Sequence, residues 1–320
     1  MKNPINHGSR DPLKPPSNFP DYGLFTGIPI SVLRETAEKA DNNSSWSSTK
    51  SEALAQSQPP VLRCGSTKGR VNWANLFKKE NDSVTGNSTF GKALAKLRVL
   101  RLGAPFIHTN LHLEQWLARL QRIDTVEAAD AYWGVSRGLE VVPHTEVRDT
   151  TNTPNYYDEA HADLVRTELK RVMQDGYICT YDELRTIWPS LPEEVGDSLG
   201  LGFVVKTKAD GTIKVRLIID ASRPSGSSVN SCIKEFSTAL PTVFEFARHL
   251  HEGDWMASAD IADAYMNLGL QPDNWKNITL NIALDSNKNI DLAYCRLAFV
   301  SRKLIFSQKA CVRGGFRLKS

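Results

Sequence analysis

The residues best suited to chemistry lie in one short stretch, Ser258-Ala259-Asp260-Ile261-Ala262-Asp263-Ala264-Tyr265. The run Trp255–Ala259 predicts a short strand that ends at Asp260 and carries its carboxylate to the mouth of a cleft. Asp263 follows after a tight turn with its backbone N–H open to an anion, and Tyr265 adds a flat wall two residues on. A carboxylate so placed can hold Mg2+, which clamps phosphate oxygens and stabilises charge in an in-line displacement. Exposed backbone amides bind phosphate. Phosphoryl transfer is the chemistry these parts could perform. Taken in isolation, the same residues also fit a turn capped by two Asp side chains.

The element that must face them lies roughly 40 residues upstream. Leu201–Thr207 and Thr212–Asp220 read as strands joined by Lys208-Ala209-Asp210-Gly211, and Asp-Gly between alternating runs is a strong hairpin signal. Side chains alternate across a strand, so Ile213, Val215, Leu217 and Ile219 share one face while Lys214, Arg216 and Asp220 share the other. Lys206 and Lys208 add to the cationic face from the partner strand. A basic hairpin alone is also an ordinary solvated surface. The order of hairpin, Ser/Pro/Gly loop, helix (Pro241–His251), strand and acidic turn narrows the reading.

Composition limits the alternatives. The chain has 320 residues, 41% hydrophobic, enough for one large or two ordinary domains. It holds no run of about 18 apolar residues, so a transmembrane helix is not predicted. Its first residues are rich in Asn, Pro and Ser without an apolar core, which argues against a secretory signal. Cys64, Cys179, Cys232, Cys295 and Cys311 are odd in number and scattered, a poor fit to a disulfide framework or a zinc site. An intracellular location, cytoplasm or nucleus, is expected. Net charge is +3, but Arg296–Ser320 carries seven basic and no acidic residues, which leaves the first 295 residues at −4. Any nucleic-acid contact must therefore come from a local patch rather than a basic coat.

These signals predict an α+β fold: a helical N-terminal half, then an incomplete sheet with an antiparallel hairpin. Residues 1–90 are dominated by Ser, Asn, Pro, Gly, Thr and Lys and read as a mostly disordered arm, with helical turns near Ser31–Lys39 and Asn72–Lys79. Residues 91–195 read as helical, with helices over Leu113–Ile123, over Ala160–Met173 closed by Asp175-Gly176, and over Tyr181–Trp188. His108 and His112, four apart without a third ligand nearby, read as polar positions at a helix start. Residues 196–290 carry the hairpin and the acidic turn, and 291–320 form a basic tail with a helix near Arg302–Ala310.

From about His161 to Trp275 the chain resembles the fingers and first half of the palm of a reverse transcriptase, an RNA-directed DNA polymerase of retroelements. Leu164–Ile178 is similar to the family's leading helix, Val204–Asn230 to its fingers hairpin and the segment after it, and Leu240-Pro241-Thr242 to the start of its linking helix. Ser258–Leu270 with Gln271–Trp275 resembles polymerase motif A and the strand after it. The resemblance implies that Asp260 is the first metal-binding carboxylate, with the Ile261 carbonyl also facing metal, and that the cofactor is Mg2+. It implies that Asp263 and Ala264 offer amides to a triphosphate and that Tyr265 is a steric gate favouring deoxynucleotides. Arg216 then reaches the triphosphate from the fingers, assisted by Lys206 or Lys208. Implied partners are an RNA or DNA template-primer and dNTPs, with no membrane.

The chain departs from that family where the site should be completed. A later hairpin commonly supplies Tyr-x-Asp-Asp, and no Asp-Asp pair occurs in these 320 residues. Tyr294–Gln308 begins like the family's motif B, but Val300 follows Ala298-Phe299 where a Gly is usual, and the remaining tail is basic. The expectation is a fragment altered by frameshift, missed splicing or degeneration, with little or no polymerase activity alone. The alternatives are a non-catalytic remnant that binds nucleic acid or protein, and a gene product without function.

Overall fold

The computed structural model describes residues 25–39, 59, 61–62, 71–107, 111–141, 153–195, 198–207, 209–223, 228–232, 251, 264–285 and 288–297. Helices fill its first half: α1 (Ile30–Lys39), α2 (Trp73–Thr85), α3 (Thr89–Leu100), α4 (Leu113–Ile123) and α5 (Val126–Arg137). The side chains of Asn72, Ser88 and Thr125 accept from the backbone N–H groups of Asn75, Gly91 and Ala128. Each thereby satisfies a donor that a helix start leaves orphaned. Asp124 closes α4 in left-handed backbone, φ 50°. Its carboxylate accepts from Phe90 N at 2.8 Å, so one residue ends one helix and holds the start of another.

Helix α3 is the centre of this half and packs against α1, α2, α4 and α5. Its buried Phe90, Ala93, Leu94 and Leu97 recur at the three- and four-residue spacing of one helix face. A two-residue strand β1 (Val61–Leu62) pairs in parallel with β2 (Phe106–Ile107). Between the helices, Glu80 is fully buried and takes two bonds of 2.8 Å from Arg137 and one of 2.8 Å from Arg98. The Arg137 guanidinium also lies 4.0 Å from the Phe106 ring centroid and 4.5 Å from that of Trp133.

The expected disordered arm over residues 1–90 is corrected wherever those residues are described. Phe25, Leu33, Leu62, Trp73 and Leu76 are buried in the same core as α3 and α5. These residues are too sparse to show a period, and partners roughly 30 to 105 positions away hold them. Phe25 N and Thr26 N donate to the Asp130 carboxylate at 3.0 and 3.1 Å, and Thr26 Oγ1 donates to it as well. The predicted turns at 31–39 and 72–79 are full helices, and α3 crosses the boundary expected at residue 90.

The second half holds α6 (Glu159–Gln174), β3 (Ile178–Thr180), α7 (Tyr181–Ile187), β4 (Gly200–Thr207), β5 (Ile213–Asp220), α8 (Val229–Cys232), a 3-10 turn at Ala264–Asn267, α9 (Pro272–Trp275), β6 (Thr279–Asp285) and β7 (Lys288–Tyr294). Asp158 caps α6, and Gly176 at φ 73° follows its end as the sequence predicts. Thr180 and Glu183 form a reciprocal capping box at α7. Strands β3, β7 and β6 form one antiparallel sheet in that order, while β4 and β5 form a separate ribbon.

The expected basic tail is corrected over 291–297. Strand β7 runs through the expected boundary and is the central strand of its sheet. Leu292, Ala293, Tyr294, Cys295 and Leu297 are buried. With β3 on one side and β6 on the other, this apolar run has more to cover it than its basic surroundings suggest. The molecule is α+β, with helices first and small sheets after. Residues 302–310, where a helix is predicted, lie outside the described residues.

Candidate functional site

The ribbon β4–β5 is built as its sequence requires. Gly211 takes φ 81°, a conformation that costs an L side chain about 1–2 kcal/mol and glycine almost nothing. Asp210 accepts from Thr212 N at 2.9 Å and also from its hydroxyl, which fixes the turn. The register then pairs Lys206 with Lys214, Val204 with Arg216, Phe203 with Leu217 and Leu201 with Ile219. Residues directly opposite share a face, so Lys206, Lys214 and Arg216 stand together, all exposed. On the other face burial deepens toward the root, from Ile213 at 61% exposed to Ile219 at 3%. Helix α6 packs against β5, and the His161 ring lies 5.0 Å from that of Phe203. Ile213 is exposed because the ribbon projects beyond this support.

The cationic face continues to Tyr156, a residue that the sequence reading misses. Its hydroxyl donates to Asp220 Oδ2 at 2.8 Å, and Arg223 lies 3.6 Å from the same oxygen and 5.8 Å from the Tyr156 ring centroid. A Cβ on Gly200 would come within 2.6 Å of the Tyr156 ring. The pair Gly200 and Gly202 in an otherwise strand-like, mostly apolar run was the available signal for such an approach. Asn230 closes the loop after β5: its backbone N–H donates to Ala221 O at 2.9 Å and its Nδ2 to Ser222 Oγ at 2.8 Å.

Ala264 and Tyr265 open the 3-10 turn, where Leu268 N donates to Tyr265 O at 3.1 Å. The stretch after the turn is held on both sides. Leu139 N donates to Gly269 O at 2.8 Å and Gln271 N to Leu139 O at 2.9 Å. Leu270 N donates to Cys295 O, and Leu297 N to Leu268 O, each at 2.9 Å. Ribbon and turn are thus anchored to one frame, since the ribbon root joins β6 through Leu199 N and Thr279 O at 2.8 Å. Lys208, Asp260, Ile261 and Asp263 lie outside the described residues, as do residues 241–250 and 255–259, where a helix and a strand are predicted.

Of the predicted site residues, Lys206 and Arg216 are brought to one face, and Ala264 and Tyr265 to a separate turn. Among the described residues, no group of three or more His, Cys, Asp or Glu gathers to hold a metal. The two predicted Mg2+ ligands lie elsewhere in the chain, so the donors of the described residues do not make that site. No helix among the described residues is long and apolar enough to cross a membrane. No protein-family model and no curated protein matches the chain.

Proposed function

We propose that this chain is the fingers and first half of the palm of a reverse-transcriptase-like polymerase, that it binds nucleic acid and nucleotide, and that alone it makes little or no DNA. One observation carries the reading: Lys206 stands directly opposite Lys214, with Arg216 on the same face. Like charges directly opposed destabilise a strand pair, and among the described residues the ribbon is a sheet of two strands. An arrangement that costs the fold is explained by a polyanion that neutralises it. The same three cations can meet phosphates as point charges and, at Arg216, as a planar fork.

In this reading Asp260 and the Ile261 carbonyl hold Mg2+, which would supply charge stabilisation at the transferred phosphoryl group. Tyr265 sits in the turn that leads from them and would line the sugar. No Asp-Asp pair occurs in these 320 residues, so in this reading they supply the first carboxylate of a two-metal site and not the later pair.

Primer extension by the purified chain on an RNA template, with dNTPs and Mg2+, tests the activity. The expected outcome is little or no product. Robust synthesis lost in Asp260→Ala would overturn the inactivity and keep the family reading. Salt-dependent RNA binding tests the rest. Changing Lys206 and Lys214 to Gln should reduce the slope of log affinity against log salt by roughly 1.4, about 0.7 per single-strand phosphate contact. Equal binding by the variant would remove the ribbon from the interface. RNA binding that depends on the ribbon but ignores both Asp260 and dNTPs would favour a non-catalytic RNA-binding remnant.

A further inference from the structure

Among the described residues, Arg296 is a buried cation without an answering charge. It is 3% exposed, and its Nε has no acceptor. Among the described residues, the only ionisable groups that act on it are Cys295 and Tyr177. Neither is a carboxylate, and burial pushes the Cys295 thiol up to about 11, so it is neutral at pH 7. Desolvation pushes Arg296 itself below its ordinary range. An uncompensated buried guanidinium is costly, and proteins retain one where something arrives to pair with it.

A second donor shares its face. Arg296 pairs antiparallel with Gly269, and Gln271 lies two residues along that extended stretch. Side chains alternate, so Arg296 and Gln271 are diagonal neighbours, with a typical separation of about 7–8 Å. Gln271 is 4% exposed and its Nε2 has no acceptor. It also lines a cavity of about 140 Å³ with Trp133, whose Nε1 is likewise buried without an acceptor. Arg101 in that cavity is already met by Glu140 at 3.1 Å and Asp273 at 3.9 Å. Arg296 stands outside that lining, and together with Gln271 it supplies the unanswered donors of this strand face.

We propose that Arg296 and Gln271 form an anion niche that takes a phosphoryl group, beside the strand that follows the Ala264–Asn267 turn. Naming the anion as phosphoryl rests on the polymerase reading. The niche itself rests on the unanswered donors. Phosphoryl groups could come from a free nucleotide or from a nucleic-acid backbone, and the experiment separates the two.

The whole chain is titrated without metal against inorganic tripolyphosphate, dATP and a short oligouridine, by calorimetry and by thermal unfolding. Arg296→Met is expected to raise the ligand-free melting temperature, because it removes an unpaired buried charge. It should also weaken tripolyphosphate binding by on the order of ten- to a hundred-fold, the worth of a charged hydrogen bond. Arg296→Lys and Gln271→Leu keep the charge and should each weaken binding by a smaller factor. An Arg296-dependent loss with dATP alone assigns the niche to nucleotide, and with oligouridine alone to backbone.

Unchanged affinity in all three variants, or no tripolyphosphate binding by the native chain, overturns the niche. So does a lower ligand-free melting temperature in Arg296→Met, which would mean that a carboxylate already pairs with the guanidinium. Tripolyphosphate bound through Arg296, with dATP and oligouridine both ignored, supports the niche and sinks the polymerase reading. Binding of both through the ribbon lysines, indifferent to Arg296, does the reverse.

Discussion

Glu80 is sealed from solvent, which by itself would raise its carboxyl, yet the group is held below its ordinary range because Arg137 and Arg98 surround it. Replacing it by Gln would strand two buried guanidinium groups. Removing one partner of such a cluster costs about 3–5 kcal/mol, and urea denaturation of Glu80→Gln should lose that much. A loss under about 1 kcal/mol would mean that the arginines find water instead. Asp130 behaves in the opposite sense. Burial raises it from 3.8 to about 6, against the hydrogen bonds from Thr26 and Phe25 that pull it down. An acid raised on folding contributes stability that is full below the unfolded value and lost as pH rises through the folded one. Glu80, being lowered, contributes above 4.5 and loses its effect only as pH falls through its depressed value. Between about pH 4.5 and 6.5, stability should therefore fall with rising pH on account of Asp130, by about 2 kcal/mol. The slope should flatten in Asp130→Asn, measured as urea midpoints across that window. An equal slope in the variant would exclude Asp130 as the titrating group.

At the scale of elements, what the sequence disclosed was local. Asp210-Gly211 and the alternation after it gave the ribbon, its turn and the sharing of Lys206, Lys214 and Arg216. Asp175-Gly176 gave the end of α6. Each signal sits within a few residues of what it determines. Tyr156 was not legible, because its partner Asp220 is 64 residues away and only the glycines of β4 hint at the contact. The anchoring of Phe25 and Thr26 escaped for the same reason, since Asp130 is about 105 positions from Phe25. The centrality of β7 was hidden by the basic residues that follow it. The ribbon also offers a clean local experiment. A Cβ on Gly211 would meet no atom within 4 Å, so Gly211→Ala strains only the backbone, by about 1–2 kcal/mol. The variant should exchange amide hydrogens faster over 200–220 and bind RNA more weakly, while the global melting temperature stays put. A global shift of several degrees would show that the ribbon is tied into the main cooperative unit.

At the scale of the molecule, one continuous apolar core runs from Phe25 to Leu297 and takes in both halves. A chain built this way should unfold in a single transition, even though its halves differ in architecture. Leu292→Ala removes a fully buried side chain from the central strand of the sheet and should cost about 2–5 kcal/mol. Because the core is shared, tryptophan fluorescence, including Trp73 and Trp133 in the helical half, and circular dichroism should report the same lowered midpoint. Two separate midpoints would show that the halves fold independently.

The central place of β7 has a temporal side. Cys179 on β3 meets Cys295, just past β7, across 116 positions of chain. A ribosome adding about 5–20 residues per second needs roughly 6 to 23 s to cover that interval. Throughout it the nascent β3 waits without β7, its strand partner among the described residues. Translation speed over these codons, and any holdase that shelters the waiting edge, should therefore govern the yield of native chain more than the strength of any single contact.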